Sequence, residues 1–145
     1  MPSKGMRIVF VIVAWLFVGA VLYQVFLAGI GLFAPGVDRF SAHRGFGWML
    51  HLAPLLVLLF GWAAHPGRTT MWLIGGLFVL VLFQPYLPSA RVDSPWLAAL
   101  HPVNAVLIFW FGVTIALRAT ALAREPIPAE AAQVGAADGV VAERP

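Results

Sequence analysis

Four apolar runs, each near the length that crosses a lipid bilayer, leave this chain little choice of fold. They cover residues 8–33, 45–64, 71–87 and 96–117. A spanning helix needs about 20 mostly apolar residues, which the third run approaches and the others meet. Helices satisfy their own backbone polar groups, as the hydrocarbon interior demands of anything that crosses it. Composition agrees: 61% of residues are hydrophobic and 10% charged, against roughly 25% charged in a soluble domain. Too few polar side chains are present to coat a globule of this size. The expectation is an all-α membrane protein, an antiparallel four-helix transmembrane bundle. Short connections, "APGVDRFSAHR", "HPGR" and "PSARVDS", make consecutive helices antiparallel neighbours.

The charges set an orientation. With the N-terminus inside, Lys4, Arg7, Arg68, Arg118, Arg124 and Arg144 lie on the inner side and Arg39, Arg44 and Arg91 on the outer. Six against three favours both termini inside, N-in/C-in. The first run follows Lys4 and Arg7 as a signal peptide would. It is far longer than the roughly 7–15 residues of a signal core, however, and no A-x-A site closes it, so it is read as an uncleaved span. Residues 1–7 form a cytoplasmic N-terminus and 8–118 the membrane domain. Residues 119–145, rich in Ala, Pro and Glu, read as a disordered cytoplasmic tail. Eight arginines to one lysine, with abundant alanine, point to a GC-rich bacterial genome and hence to the bacterial inner membrane.

Several chemistries are excluded. No cysteine is present, which removes disulfides, thiolate metal sites and c-type haem attachment. A net charge of +3 with no basic face argues against nucleic acid and for lipid headgroups as the partner of the positive residues. No phosphate-binding loop, nucleophile elbow or HExxH is present. No run contains an acidic residue, which argues against a proton pump or cation-coupled carrier.

What the runs do contain is a small polar set: Gln24, His51, Gln84, His101 and Asn104, with His43 at an edge. On the orientation above, all lie in the outer half. One polar cavity near the outer face would give this segregation, because buried polar groups in lipid need partners. His51 and His101 each lie roughly 8–9 Å inside the outer boundary. Two histidines at one depth on different helices are the donor set of a bis-histidine b-type haem. His51 and His101 are therefore the expected axial ligands. His43, about two turns from His51, is the alternative ligand or a propionate partner. Gly47, lacking a side chain, would let a flat macrocycle approach. Arg39, Arg44 and Arg91 would pair with propionates, and Asn104, Gln24 or Gln84 would serve around the ring. Such a protein would pass electrons to quinone or to an acceptor at the outer face.

Two other readings stand beside it. In one, the histidines only hydrogen-bond to Gln24, Gln84 and Asn104 across helices, and the chain is a cofactor-free accessory subunit of a membrane complex. In the other, the same cavity takes a small apolar molecule. His65, in the "HPGR" turn, reads as a surface residue. Pro54 should bend the second span near His51. Pro85 and Pro88 should end the third. Gly75, Gly76 and Gly112 read as close-packing points.

The stretches "QVFLAGIGLF" (24–33), "HRGFGWMLHL" (43–52) and "LHPVNAVLIFW" (100–110) resemble a family of small bacterial four-span membrane proteins. That family has no established activity, so the resemblance implies architecture alone. More locally, "HRGFG" is similar to the H-R-x-x-G stretch around a haem-ligand histidine of haem A synthases, carried here by His43, Arg44 and Gly47. Those enzymes place an acidic residue shortly before the histidine, where this chain has Ser41 and Ala42. They also have eight helices and two haem sites. What remains of that resemblance is a haem contact at His43.

Overall fold

The computed structural model describes residues 3–36 and 38–126. Among them there are helices and no strand. The order is α1 (Lys4–Phe33), α2 (Ser41–Leu50), α3 (Ala53–Ala64), α4 (Arg68–Phe83), α5 (Tyr86–Ser89) and α6 (Pro95–Arg124). Four units are long and apolar enough to cross a membrane: α1, α2 with α3, α4 with α5, and α6. The chain is a multi-pass, four-helix membrane protein. α6 continues through the first residues assigned to the tail, and the remainder of that tail lies outside the described residues.

Local chemistry sets the boundaries. Ser3 caps α1, its hydroxyl accepting from the Met6 amide at 3.3 Å. α1 and α6 are 30 residues each, or about 45 Å, longer than the hydrocarbon core of about 30 Å. The turn after α3 uses the left-handed region twice, at His65 (φ 52°) and Gly67 (φ 82°). His65 is exposed there, as a turn residue. The second span is broken at His51–Leu52, just ahead of Pro54. Pro54 has no N–H to offer the Leu50 carbonyl, and its ring would collide with that carbonyl in a continuous helix. The third span likewise stops at Phe83 and resumes as the short α5 beyond Pro85.

In cross-section α1 packs against α3 and α6, and α4 packs against the same two. The core fills the half of the bundle nearest the termini. Phe10, Phe17, Ile74, Leu77 and Ile115 interdigitate there with Ala14, Ala64, Ala116 and Ala119. Small residues let the helices approach closely. A Cβ on Gly61 would meet Ile74 at 2.6 Å, one on Gly76 would meet Phe111 at 2.8 Å, and one on Gly112 would meet Phe17 at 3.2 Å. Gly75 has no such neighbour within 4 Å.

That half also holds polar groups the sequence reading did not place. Arg7 is 9% exposed, and its guanidinium donates to the backbone carbonyls of Leu122 (3.0 Å) and Glu125 (3.1 Å). It is a positive cap on the carbonyl end of α6. Arg118 donates to the buried Thr70 hydroxyl at 2.8 Å.

The other half is looser. α2 contributes no buried residue. It leans on α1, with slighter contact to α3. A space lies between α2 and the helices opposite it.

Candidate functional site

A cavity of about 400 Å³ occupies that space, within the usual range for a small-molecule site. Its walls come from α1, α2, α4 and α6, with His51 just past the end of α2. They are apolar except for Gln24, His43, His51, Gln84 and His101. Lining residues Leu22, Val25 and Val106 are also half-exposed or more on the outside of the bundle. The cavity therefore opens sideways, towards lipid.

Two matching clamps set the polar end. Between α1 and α2, the His43 Nδ1–H donates to the Gln24 carbonyl at 3.1 Å, and the Gln24 amide donates to the His43 carbonyl at 2.8 Å. Between α4 and α6, the His101 Nδ1–H donates to the Gln84 carbonyl at 3.0 Å, and the Gln84 amide donates to the His101 carbonyl at 3.1 Å. A carbonyl can only accept, so each Nδ1 carries the proton and the neutral ring presents its lone pair at Nε2. The Gln84 carbonyl lies just past the end of α4, where intrahelical partners run out, whereas the Gln24 carbonyl lies within α1.

The two clamped rings face the same space. The centroids of His43 and His101 are 6.1 Å apart and the planes cross at 76°. Two imidazoles sharing one metal through Nε2, each at about 2 Å from it, have centroids roughly 6.3 Å apart. The observed centroid spacing is close to that value, and His43 Nε2 also lies 3.4 Å from the Gln24 amide nitrogen.

The pair that meets is His43 with His101, whereas the sequence reading favoured His51 with His101. His51 follows α2 by one residue, and its Nδ1–H turns back to the Gly47 carbonyl at 2.6 Å. Its ring lies against Trp48, with centroids 5.4 Å apart. The His51 Nε2 is buried without a hydrogen-bond partner, a nitrogen that faces the cavity wall as an acceptor. Equal depth along two helices was the basis for pairing His51 with His101. His43 and His51 lie about two turns apart on the same span, and depth alone does not fix which ring faces inward.

The remaining candidates have other roles. Gly47 does leave room, but for the Gln24 amide: a Cβ there would lie 2.8 Å from its nitrogen. Asn104 is 8% exposed and donates to the Leu80 carbonyl (2.8 Å) and to Gln84 Oε1 (2.6 Å). It orients the Gln84 amide, which holds the His101 backbone, while the His101 ring is held by the Gln84 backbone carbonyl. Arg44 pairs with Asp38, and Arg91 reaches the Pro88 carbonyl at 3.4 Å. Neither arginine lines the cavity. The sequence reading gave the ring N–H groups to side chains, whereas backbone carbonyls take them. One signal for this was available: each glutamine and its histidine sit on consecutive spans, 19 residues apart in one pair and 17 in the other.

Residues 24–90 match the model of a family of unknown function (DUF6220). The match begins at Gln24 and covers just under half of the chain. It includes Gln24, His43, His51 and Gln84 and stops short of His101 and Asn104. No curated protein and no solved structure matches the chain.

Proposed function

We propose that this chain is a small membrane-bound b-type cytochrome, holding one haem between His43 and His101. The observation that carries the reading is the 6.1 Å separation of two rings whose Nδ1 protons are both committed to backbone carbonyls. A ligating histidine commonly donates its other nitrogen in this way, which fixes ring orientation and raises ligand basicity. The apolar walls suit a macrocycle, since Val21, Val25, Ala105 and Phe109 offer no competing polar group.

Bound haem would supply one-electron transfer. The protein's own part is positional. His43 and His101 ligate through Nε2, Gln24 and Gln84 hold them, and the apolar walls keep water from the metal. The Lys and Arg distribution supports a bacterial inner-membrane orientation with both termini inside, which puts the site in the outer half of the bilayer. Electrons would then exchange with quinone or with an acceptor at the outer face.

The test is the absorption spectrum of the detergent-purified chain supplied with haem, before and after dithionite. A Soret band with sharp α and β bands on reduction is the expected result. A protein that stays colourless and is not stabilised by haem would sink the reading.

One observation favours a second occupant. The sideways opening beside Leu22, Val25 and Val106 is a route for a lipid-soluble molecule. On this reading the cavity binds a small apolar ligand, and the purified protein would carry lipid extractable by organic solvent in place of haem.

A further inference from the structure

We propose that the two histidines are unequal ligands. His101 is fixed. His43 is displaceable, and its departure opens a coordination position to a neutral diatomic electron-pair donor. This rests on the haem reading above.

The asymmetry lies in what stands behind each clamp. His101 is borne by α6, which packs against α1, α4 and α5. The glutamine that holds it is itself held at both ends of its amide: Nε2 donates to the His101 carbonyl, and Oε1 accepts from Asn104 at 2.6 Å. Asn104 is pinned in turn to the Leu80 carbonyl. Both polar atoms of the Gln84 amide and the Asn104 amide nitrogen have partners.

His43 is borne by α2, ten residues with no buried side chain and no side-chain cap, cut off from α3 by the break at His51–Leu52. Segments with few buried contacts open at low free energy. The glutamine that holds it is half-satisfied, because Gln24 Oε1 is buried and has no partner. The Gln24 amide nitrogen lies 2.8 Å from the His43 carbonyl and also 3.4 Å from His43 Nε2. The longer contact exceeds a normal N–H···N bond, but it aims a donor at the lone pair that iron would use. When His43 leaves the metal, its electron pair stays on Nε2 and the Gln24 amide is at hand to meet it. The incoming molecule supplies the replacing pair, and no oxidation state changes. The sideways opening gives an apolar diatomic a path to that face.

Two measurements on the full-length protein test this. The first is hydrogen–deuterium exchange of the haem-free chain. Amides of residues 41–50 are expected to exchange at least about tenfold faster than those of 101–109. The second is haem titration followed by carbon monoxide, on the wild type, His43→Leu and His101→Leu. Leucine keeps the site filled, so loss of haem does not reflect a new cavity. His43→Leu is expected to hold haem within about tenfold of the wild-type affinity and to bind carbon monoxide fully, whereas His101→Leu weakens haem by about 100-fold or more. The reduced wild type should bind carbon monoxide, and Gln24→Leu should shift its affinity by about tenfold.

Equal exchange in the two segments, equal haem loss in the two variants, loss in His43→Leu alone, or a reduced wild-type spectrum indifferent to carbon monoxide would each overturn the inference and leave the haem reading standing. A wild type that takes up no haem overturns both.

Discussion

The side-chain nitrogen of Asn104 donates to Gln84 Oε1 at 2.6 Å, and the amide held in this way donates from its Nε2 to the backbone carbonyl of His101 at 3.1 Å. The Asn104 nitrogen also reaches the Leu80 carbonyl one turn below. Asn104→Leu removes both bonds and leaves Gln84 Oε1 without its donor. Interhelical polar contacts in membranes contribute about 0.6–2 kcal/mol, so the thermal midpoint in detergent should fall modestly. Haem affinity should fall by about tenfold, because outer partners of a ligand tune it by that order. An Asn104→Leu protein with wild-type haem affinity would show that Gln84 needs no such support.

His51 gives a prediction of opposite sign. Its Nε2 is buried without a partner, and an unsatisfied buried polar group costs about 1–3 kcal/mol. His51→Leu should raise the thermal midpoint of the haem-free protein and leave haem uptake intact. Loss of haem in this variant would return His51 to the ligand set.

Two glycines of α2 make a matched pair. A Cβ on Gly45 meets nothing within 4 Å, whereas one on Gly47 meets the Gln24 amide at 2.8 Å. Glycine in a helix costs about 0.5–1 kcal/mol relative to alanine. Gly45→Ala should therefore stabilise α2. Gly47→Ala should push Gln24 off the His43 carbonyl and speed exchange of the α2 amides. Equal exchange in the two variants would show that the close approach of Gln24 does not hold α2 in place.

Orientation can be read with single cysteines, because the chain has none of its own. Val92→Cys lies at an exposed position between α5 and α6, and Thr69→Cys at an exposed position beside the α3–α4 turn. With both termini inside, a membrane-impermeant maleimide applied to whole cells should label Val92→Cys and spare Thr69→Cys. The reverse pattern would invert the topology and move the site to the inner half.

The stability of the tightly packed half should depend on small residues. A Cβ on Gly61 would lie 2.6 Å from Ile74 and 3.2 Å from Phe10. Both neighbours are fully buried, and overpacking of this kind costs about 1–3 kcal/mol. Gly61→Ala should lower the detergent midpoint with haem affinity per folded molecule unchanged. A change in affinity would mean that the two halves are coupled.

The amino-acid sequence by itself determined the architecture. Apolar length and the absence of acidic residues from the four runs dictate helices that cross a membrane, and short loops make them neighbours, whatever the packing. It also singled out Gln24, His51, Gln84, His101 and Asn104, with His43 at an edge, as the polar set, since each is costly in lipid and so stands out. Which of them meet was decided only in three dimensions. His43 lies beside His101, whereas His51, just past the end of α2, turns its Nδ1–H back to the Gly47 carbonyl. The backbone carbonyls of Gln24 and Gln84 that take the ring protons carry no mark in the sequence, because every residue has one. Arg7, which reads as a charge flanking the first span, is buried against the end of α6 for the same reason: its partners are the carbonyls of Leu122 and Glu125. The acceptors at Gln84, Leu122 and Glu125 become available where helices end, and tertiary packing brings donors to them as it brings His43 to the Gln24 carbonyl within α1.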